Sequence, residues 1–182
     1  MPDRKKLLKC VYAGSFDPPT NGHLWMINQG ASIFDKLVVA IGINPSKAYT
    51  FSLADRLDML KHITKNLPNV EVTHFENEFL VRYAKNIGAQ FILRGIRDSN
   101  DYEYEKSMRS VNEDIEKDIT TIFLMPPDKL SKVSSSLVKG LVGTNGWERL
   151  VSNYVPSYVF SYLKRMNYRD KSSNLIGLGK NE

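Results

Sequence analysis

Apolar residues gather in short runs along the chain, and between those runs they spread out to helical spacing. Five runs read as strands: Leu7 to Tyr12, Leu37 to Ile43, Val70 to Phe75, Phe91 to Leu93 and Thr121 to Met125. Each is mostly apolar at successive positions, as strands covered by helices on both faces should be. Ser52 opens the clearest helix. Its side chain can cap the first turn, Asp55 answers three positions later, and Leu53, Leu57, Leu60, Ile63 and Leu67 line one face until Asn66, Leu67 and Pro68 end it. A second helix spans about Gly22 to Phe34 with Leu24, Ile27, Ala31 and Phe34 inward, and a third runs from about Glu78 to Ile87 and stops at Gly88, a natural C-cap. Short helices follow near Ser135 to Val142, Trp147 to Ser152 and Pro156 to Met166.

Strands alternating with helices predict an α/β protein, a Rossmann-like doubly wound five-stranded parallel sheet with helices on both faces. Right-handed crossovers would bring the loop after each strand to one sheet edge, where ligands of such folds bind. With 182 residues the chain fits one domain, expected over 1–166. Residues 167–182 are polar, carry Gly177 and Gly179, lack periodicity and read as a frayed tail.

Composition narrows the function classes. No apolar run approaches the roughly 20 residues needed to span a bilayer, and the charged start Met1-Pro2-Asp3-Arg4-Lys5-Lys6 precedes a strand-like run without a signal peptide's apolar core. The expected location is the cytoplasm. Cys10 is the single cysteine, so no intrachain disulfide or thiolate cluster can form, and it reads as a small apolar residue of the first strand. The net charge of +5 suits an anionic partner, but no interleaved basic and aromatic repeat marks a nucleic-acid groove. Small phosphorylated ligands account for the excess at least as well.

The candidate chemistry lies in the loops. Gly14-Ser15-Phe16-Asp17-Pro18-Pro19-Thr20-Asn21-Gly22-His23 follows the first strand and opens a helix. Gly14 would turn the chain off the strand, the prolines would stiffen the loop, and Gly22 would let backbone approach a ligand. Free first-turn N–H groups favour an anion there, with His23 adding a donor. The plainer alternative makes His23 a first-turn residue behind a Thr20 or Asn21 cap. Val133-Ser134-Ser135-Ser136-Leu137-Val138-Lys139 starts a helix after the fifth strand, where hydroxyls and backbone N–H groups could hold phosphate oxygens or merely cap the helix. Lys47 follows the second strand in Asn44-Pro45-Ser46-Lys47, and Arg94 and Arg97 follow the fourth in the run Arg94-Gly95-Ile96-Arg97-Asp98-Ser99-Asn100-Asp101-Tyr102-Glu103-Tyr104-Glu105. Guanidinium forks and a mobile ammonium suit phosphate. Taken singly, Lys47 could be solvated, and the arginines could pair with Asp98 or Asp101 at the surface.

Thr20 to His23 resembles the first signature of the nucleotidylyltransferase superfamily (His or Thr, any residue, Gly, His), and the serine-rich run resembles the second. The Lys47 and Arg94 to Glu105 segments resemble phosphopantetheine adenylyltransferases in particular, and the likeness covers about residues 7 to 165. That resemblance implies ATP and 4'-phosphopantetheine as substrates, dephospho-coenzyme A and pyrophosphate as products, and direct attack of the acceptor phosphate on the α-phosphorus. It implies catalytic roles for His23, Lys47, Arg94 and Ser135. Its ATP contacts map to Ser15, Phe16, His23, Gly95, Ile96, Arg97, Glu105, Leu130, Ser131, Lys132, Val133, Ser134, Ser135 and Ser136, and its acceptor contacts to Ser15, Lys47, Leu80 and Arg94. It further implies Mg²⁺ carried mainly by ATP phosphates and water, a homohexamer, and coenzyme A as a feedback inhibitor. Leu130 departs from the family, which usually has an aromatic ring there, and Ser15 replaces a common Thr. Sister enzymes acting on nicotinate or flavin mononucleotide, cytidylyltransferases, and a non-catalytic nucleotide or RNA binder are the rival readings.

Overall fold

A computed structural model describes the backbone of residues 7–177 and the side chains as far as Asn167. Strands β1 (Lys9–Gly14), β2 (Lys36–Ile43), β3 (Val70–Glu76), β4 (Phe91–Gly95) and β5 (Thr120–Leu124) form one parallel sheet in the order β3-β2-β1-β4-β5. The order reverses beside β1, which places the switch point at its C-terminal end. Helices α1 (Asn21–Ile33), α2 (Leu53–Thr64), α3 (Leu80–Asn86) and α4 (Ser99–Ile115) are the crossovers, and α5 (Asp128–Ser131), α6 (Ser135–Leu141), α7 (Trp147–Val151) and α8 (Ser157–Gly177) follow β5.

Alternation along β1 splits the interior. Cys10 and Tyr12 pack with Met26, Ile27 and Phe34 of the α1 side and Leu60 of α2, whereas Val11 and Ala13 face Val81 and Ala84 of α3. Burial pushes the Cys10 thiol up to about 12, so it behaves as the small apolar group expected. A third cluster, with Trp147, Val151, Val159 and Leu163 at its centre, seats α7 and α8 on Met59 of α2.

The strand ends differ from the sequence reading. β1 starts at Lys9 and continues to Gly14, because Ala13 and Gly14 pair with Ala40 and Ile41 of β2. β4 continues to Gly95, because Arg94 and Gly95 pair with Phe123 and Leu124. Arg94 therefore stands on a strand end, not in a loop. β3, as an edge strand, is covered only in part: Val70 and Val72 pack on one face and Phe75 on the other, while Glu71, His74 and Glu76 stay exposed, polar groups that blunt edge pairing. Ser99 to Glu105, read as loop, forms the first turns of α4, where the Asp98 carboxylate accepts from the Asp101 N–H. The last helix continues past Met166 to Gly177, and residues 178–182 lie outside the described residues.

Candidate active site

The first loop is built around Phe16. Its ring is fully buried, edge-on to Tyr12 at 5.5 Å and to His23 at 5.0 Å, while its backbone is left-handed at φ 48°. Gly14 is not the residue that turns the chain: a Cβ there would press on the Phe16 ring at 3.3 Å, so its bareness serves packing. The left-handed turn falls on Phe16, which stores strain that neighbouring contacts must hold.

Thr20 caps α1, and His23 completes a reciprocal box. The Thr20 Oγ1 accepts from the His23 N–H at 3.4 Å, and the His23 Nδ1 accepts from the Thr20 N–H at 3.0 Å. His23 does here what Glu or Gln does in the usual capping box. The plain structural reading of this histidine is thus correct and sets up the functional one. With Nδ1 accepting, the ring proton sits on Nε2, the one nitrogen left to donate. Burial, with Arg97 as a second cause, pushes the His23 pKa down to about 4, so the donor is a neutral imidazole at pH 7.

Two cavities open along the sheet edge. One, of about 460 Å³, is lined by Gly22, His23, Gly95, Arg97, Leu130, Val133, Ser134 and Ser135. The other, of about 750 Å³, is lined by Phe75, Phe79, Leu80, Arg82, Met108 and Asn112. They share Ser15, Lys47, Arg94, Tyr104 and Glu105 as a common wall. His23, Lys47, Arg94 and Ser135, which come from separate loops and strand ends, therefore meet at one place. Gly22 leaves the protein itself room for a methyl, since the nearest atom to a Cβ would be the Thr20 Oγ1 at 3.5 Å.

Some expected contacts sit elsewhere. The Phe16 side chain is in the core, and Ile96 is buried with its N–H spent on the Leu124 carbonyl at 2.9 Å. Ser131 and Lys132 line an adjoining polar depression with Asp128 and Tyr154, and Ser136 is exposed at the first turn of α6. Ser134 caps α6 by accepting from the Leu137 N–H at 3.1 Å. Among the serines of that run it is Ser135 that donates to the Pro18 carbonyl, at 2.8 Å.

The two arginines are already partnered. Arg94 donates through Nε and Nη2 to Oε1 of Glu105 and through Nη1 to the Ala13 carbonyl at 3.3 Å. Glu105 is thereby the immediate partner of Arg94, and its Oε2 remains to accept from a ligand. Arg97 grips Asp101 from Nε and Nη2 at 2.8 and 3.0 Å, the ion pair weighed against a phosphate role. An arriving triphosphate would compete with that carboxylate for the same fork. Lys47 is exposed on a loop fixed from below, where the Tyr49 hydroxyl accepts from the Asn44 N–H at 2.8 Å and the Arg56 guanidinium lies 4.1 Å over the Tyr49 ring.

Sequence reasoning missed three supports. Arg56 is 2% exposed and donates to the Ser15 carbonyl at 2.9 Å; its place on the apolar stripe of α2, three residues after Leu53 and four before Leu60, was a readable signal. Asp17 and Lys139 form a 2.8 Å ion pair although both belong to the runs singled out above. The aromatic and apolar wall of the larger cavity, Phe79, Tyr104 and Met108, had no local signature.

Comparison with known proteins fits this architecture. A family model described as cytidylyltransferase-like matches residues 11–141, and the chain belongs to that family of nucleotidyltransferases. Its fold resembles nicotinic acid mononucleotide adenylyltransferase of Plasmodium falciparum complexed with NaAD (TM-score 0.66, 17% identity, 90% of this chain and 98% of that one). It also resembles a nicotinate-nucleotide adenylyltransferase assignment from Vibrio parahaemolyticus (TM-score 0.61, 19% identity, 86% and 91% of the two chains). Sequence relatives are much nearer. The phosphopantetheine adenylyltransferase of Neisseria meningitidis serogroup C is 58% identical over 84% of this chain and 89% of its own length. That of Chromobacterium violaceum is 50% identical over 87% and 96%. Within the nucleotidyltransferases, the chain belongs to the phosphopantetheine adenylyltransferase family.

Proposed function

We propose that the chain transfers the adenylyl group of ATP to 4'-phosphopantetheine, giving dephospho-coenzyme A and pyrophosphate. The observation that carries this reading is the common wall of the two cavities, where Ser15, Lys47 and Arg94 face both. A nucleotide in the smaller cavity and a phosphorylated, partly apolar acceptor in the larger would bring their phosphates together at that wall.

The acceptor phosphate is itself the anionic nucleophile, so the site needs positioning and charge neutralisation and no general base. Lys47 and Arg94 orient the acceptor phosphate, and the Glu105 carboxylate holds the Arg94 fork in plane. The Nε2–H of His23 and the first-turn backbone N–H of Ser135 donate to the α-phosphate as charge grows on it. Arg97 and the serine-rich turn hold the β- and γ-phosphates, which leave as pyrophosphate. The apolar arm of the acceptor lies along Leu80, Phe79 and Met108.

Mg²⁺ fits as a companion of the triphosphate. Among the described residues no group of three or more His, Cys, Asp or Glu forms a cage, and the two carboxylates lining the nucleotide cavity, Asp101 and Glu105, are held by arginines. The ion would be held by ATP oxygens and water, where it would neutralise phosphate charge. No helix among the described residues is long and apolar enough to cross a membrane. The same reading gives a cytoplasmic homohexamer restrained by coenzyme A. The test is pyrophosphate release from ATP with a panel of acceptors. Turnover with 4'-phosphopantetheine alone is expected, and preference for nicotinate or flavin mononucleotide would overturn the assignment.

A further inference from the structure

Among the described residues, Asp17 is the most connected buried acid. It is 3% exposed. Its Oδ1 accepts from the Phe51 N–H at 2.9 Å, and its Oδ2 accepts from the Thr50 N–H at 3.0 Å and from Lys139 Nζ at 2.8 Å. Burial alone would raise its pKa, but Lys139 and the two backbone donors outweigh that and hold the carboxyl below its ordinary value. Three segments of chain thus meet on one carboxylate. The first loop carries Ser15 and leads into α1 with His23, the segment entering α2 follows directly from Lys47, and α6 begins with Ser135.

We propose that Asp17 and Lys139 are a positioning pair that sets the mutual placement of these segments for adenylyl transfer, without touching either substrate. The inference rests on the reaction proposed above. Two neighbouring observations support it. Ser135 donates to the Pro18 carbonyl at 2.8 Å, so α6 is pinned to the first loop at both its first residue and, through Lys139, one turn later. Phe16, next to Asp17, keeps a left-handed backbone at φ 48° that persists only where surrounding contacts over-determine it. Removing the Lys139 ammonium would leave Thr50 and Phe51 bound to Asp17 but free α6 to drift. In-line transfer tolerates such drift poorly: a misplacement on the order of 1 Å costs about a hundredfold.

The test measures kcat, both KM values and thermal unfolding for wild type, Lys139→Met and Lys139→Arg. The Met variant, folded, should lose about tenfold or more in kcat at saturating substrates while each KM moves less than about threefold, and Arg should restore most of the loss. A folded Met variant with kcat within about twofold of wild type would overturn the proposal, as would a rise in KM at unchanged kcat. Should the Met variant not fold, Asp17→Asn/Lys139→Met, which removes the contact without leaving a buried unpaired carboxylate, is read by the same criteria. An inactive wild type would sink the reaction itself, whereas an active wild type with an unaffected variant sinks this inference alone.

Discussion

His23 serves two structural masters, and substitutions can separate them. Its Nδ1 closes the cap of α1 on the Thr20 N–H, while its Nε2–H is free for a phosphate. His23→Ala removes both. Losing one transition-state donor costs about 10²–10³ in kcat, roughly 3–4 kcal/mol. Losing the reciprocal bond to the Thr20 N–H, with the Thr20 cap itself intact, costs about 1 kcal/mol, or about 2–4 °C in Tm for a chain of this size. His23→Glu divides these effects. Its carboxylate can accept from the Thr20 N–H in the ordinary Thr-x-x-Glu box and suits the helix N-terminus, so Tm should stay within about 2 °C of wild type or rise. The same carboxylate faces a phosphate and donates nothing, so turnover should fall below that of the Ala variant. Calorimetry and steady-state pyrophosphate release from ATP and 4'-phosphopantetheine read the two consequences. Wild-type turnover in His23→Ala refutes the donor role, and a Glu variant melting well below Ala refutes the cap.

Lys47→Ala should raise KM for the phosphorylated acceptor more than KM for ATP in initial-rate assays, and equal effects would remove Lys47 from the common wall. Arg94→Ala should destabilise the fold by about 3 kcal/mol in denaturant titration, because Glu105 loses the partner that justifies its burial; Arg94→Ala/Glu105→Gln should recover part of that loss, and a double variant no more stable than the single one would contradict the pairing. In NMR of the free protein, one of the three histidines should titrate near pH 4. His23 has a folded-state pKa below its unfolded value, so its neutral form supports folding above pH 6.5, and that support, at most about 3 kcal/mol, is lost as pH falls from about 6.5 through 4. Three midpoints at 6 or above would show an imidazole outside the buried cap.

What the sequence disclosed was what local chemistry decides. Ser52 and Asp55 cap α2 reciprocally as their spacing implied, and Gly88 ends α3 at φ 70°. Strand ends were harder, since Ala13, Gly14, Arg94 and Gly95 join the sheet through register with neighbours and not through apolar character. Helix α4 was hidden among charged residues: Tyr104, Met108, Val111 and Ile115 recur at helical spacing, but Tyr104 and Val111 are exposed and the one buried residue of the helix is Glu105. The convergence of loops followed from parallel topology alone. The bonds that hold the loops together did not, because Lys139 reaches Asp17 across 122 positions and Arg94 chooses Glu105 over Asp98 and Asp101 for reasons of sheet geometry.

Direct transfer requires the acceptor phosphate to sit at the wall shared by the two cavities. A crystal structure with a non-hydrolysable ATP analogue and 4'-phosphopantetheine measures that position. The expected result is an acceptor oxygen about 3–3.5 Å from the α-phosphorus, between Lys47 and Arg94, with His23 Nε2 about 2.7–3.1 Å from an α-phosphate oxygen. An acceptor phosphate bound away from the wall shared by the two cavities, or a His23 ring turned from the nucleotide, would contradict it.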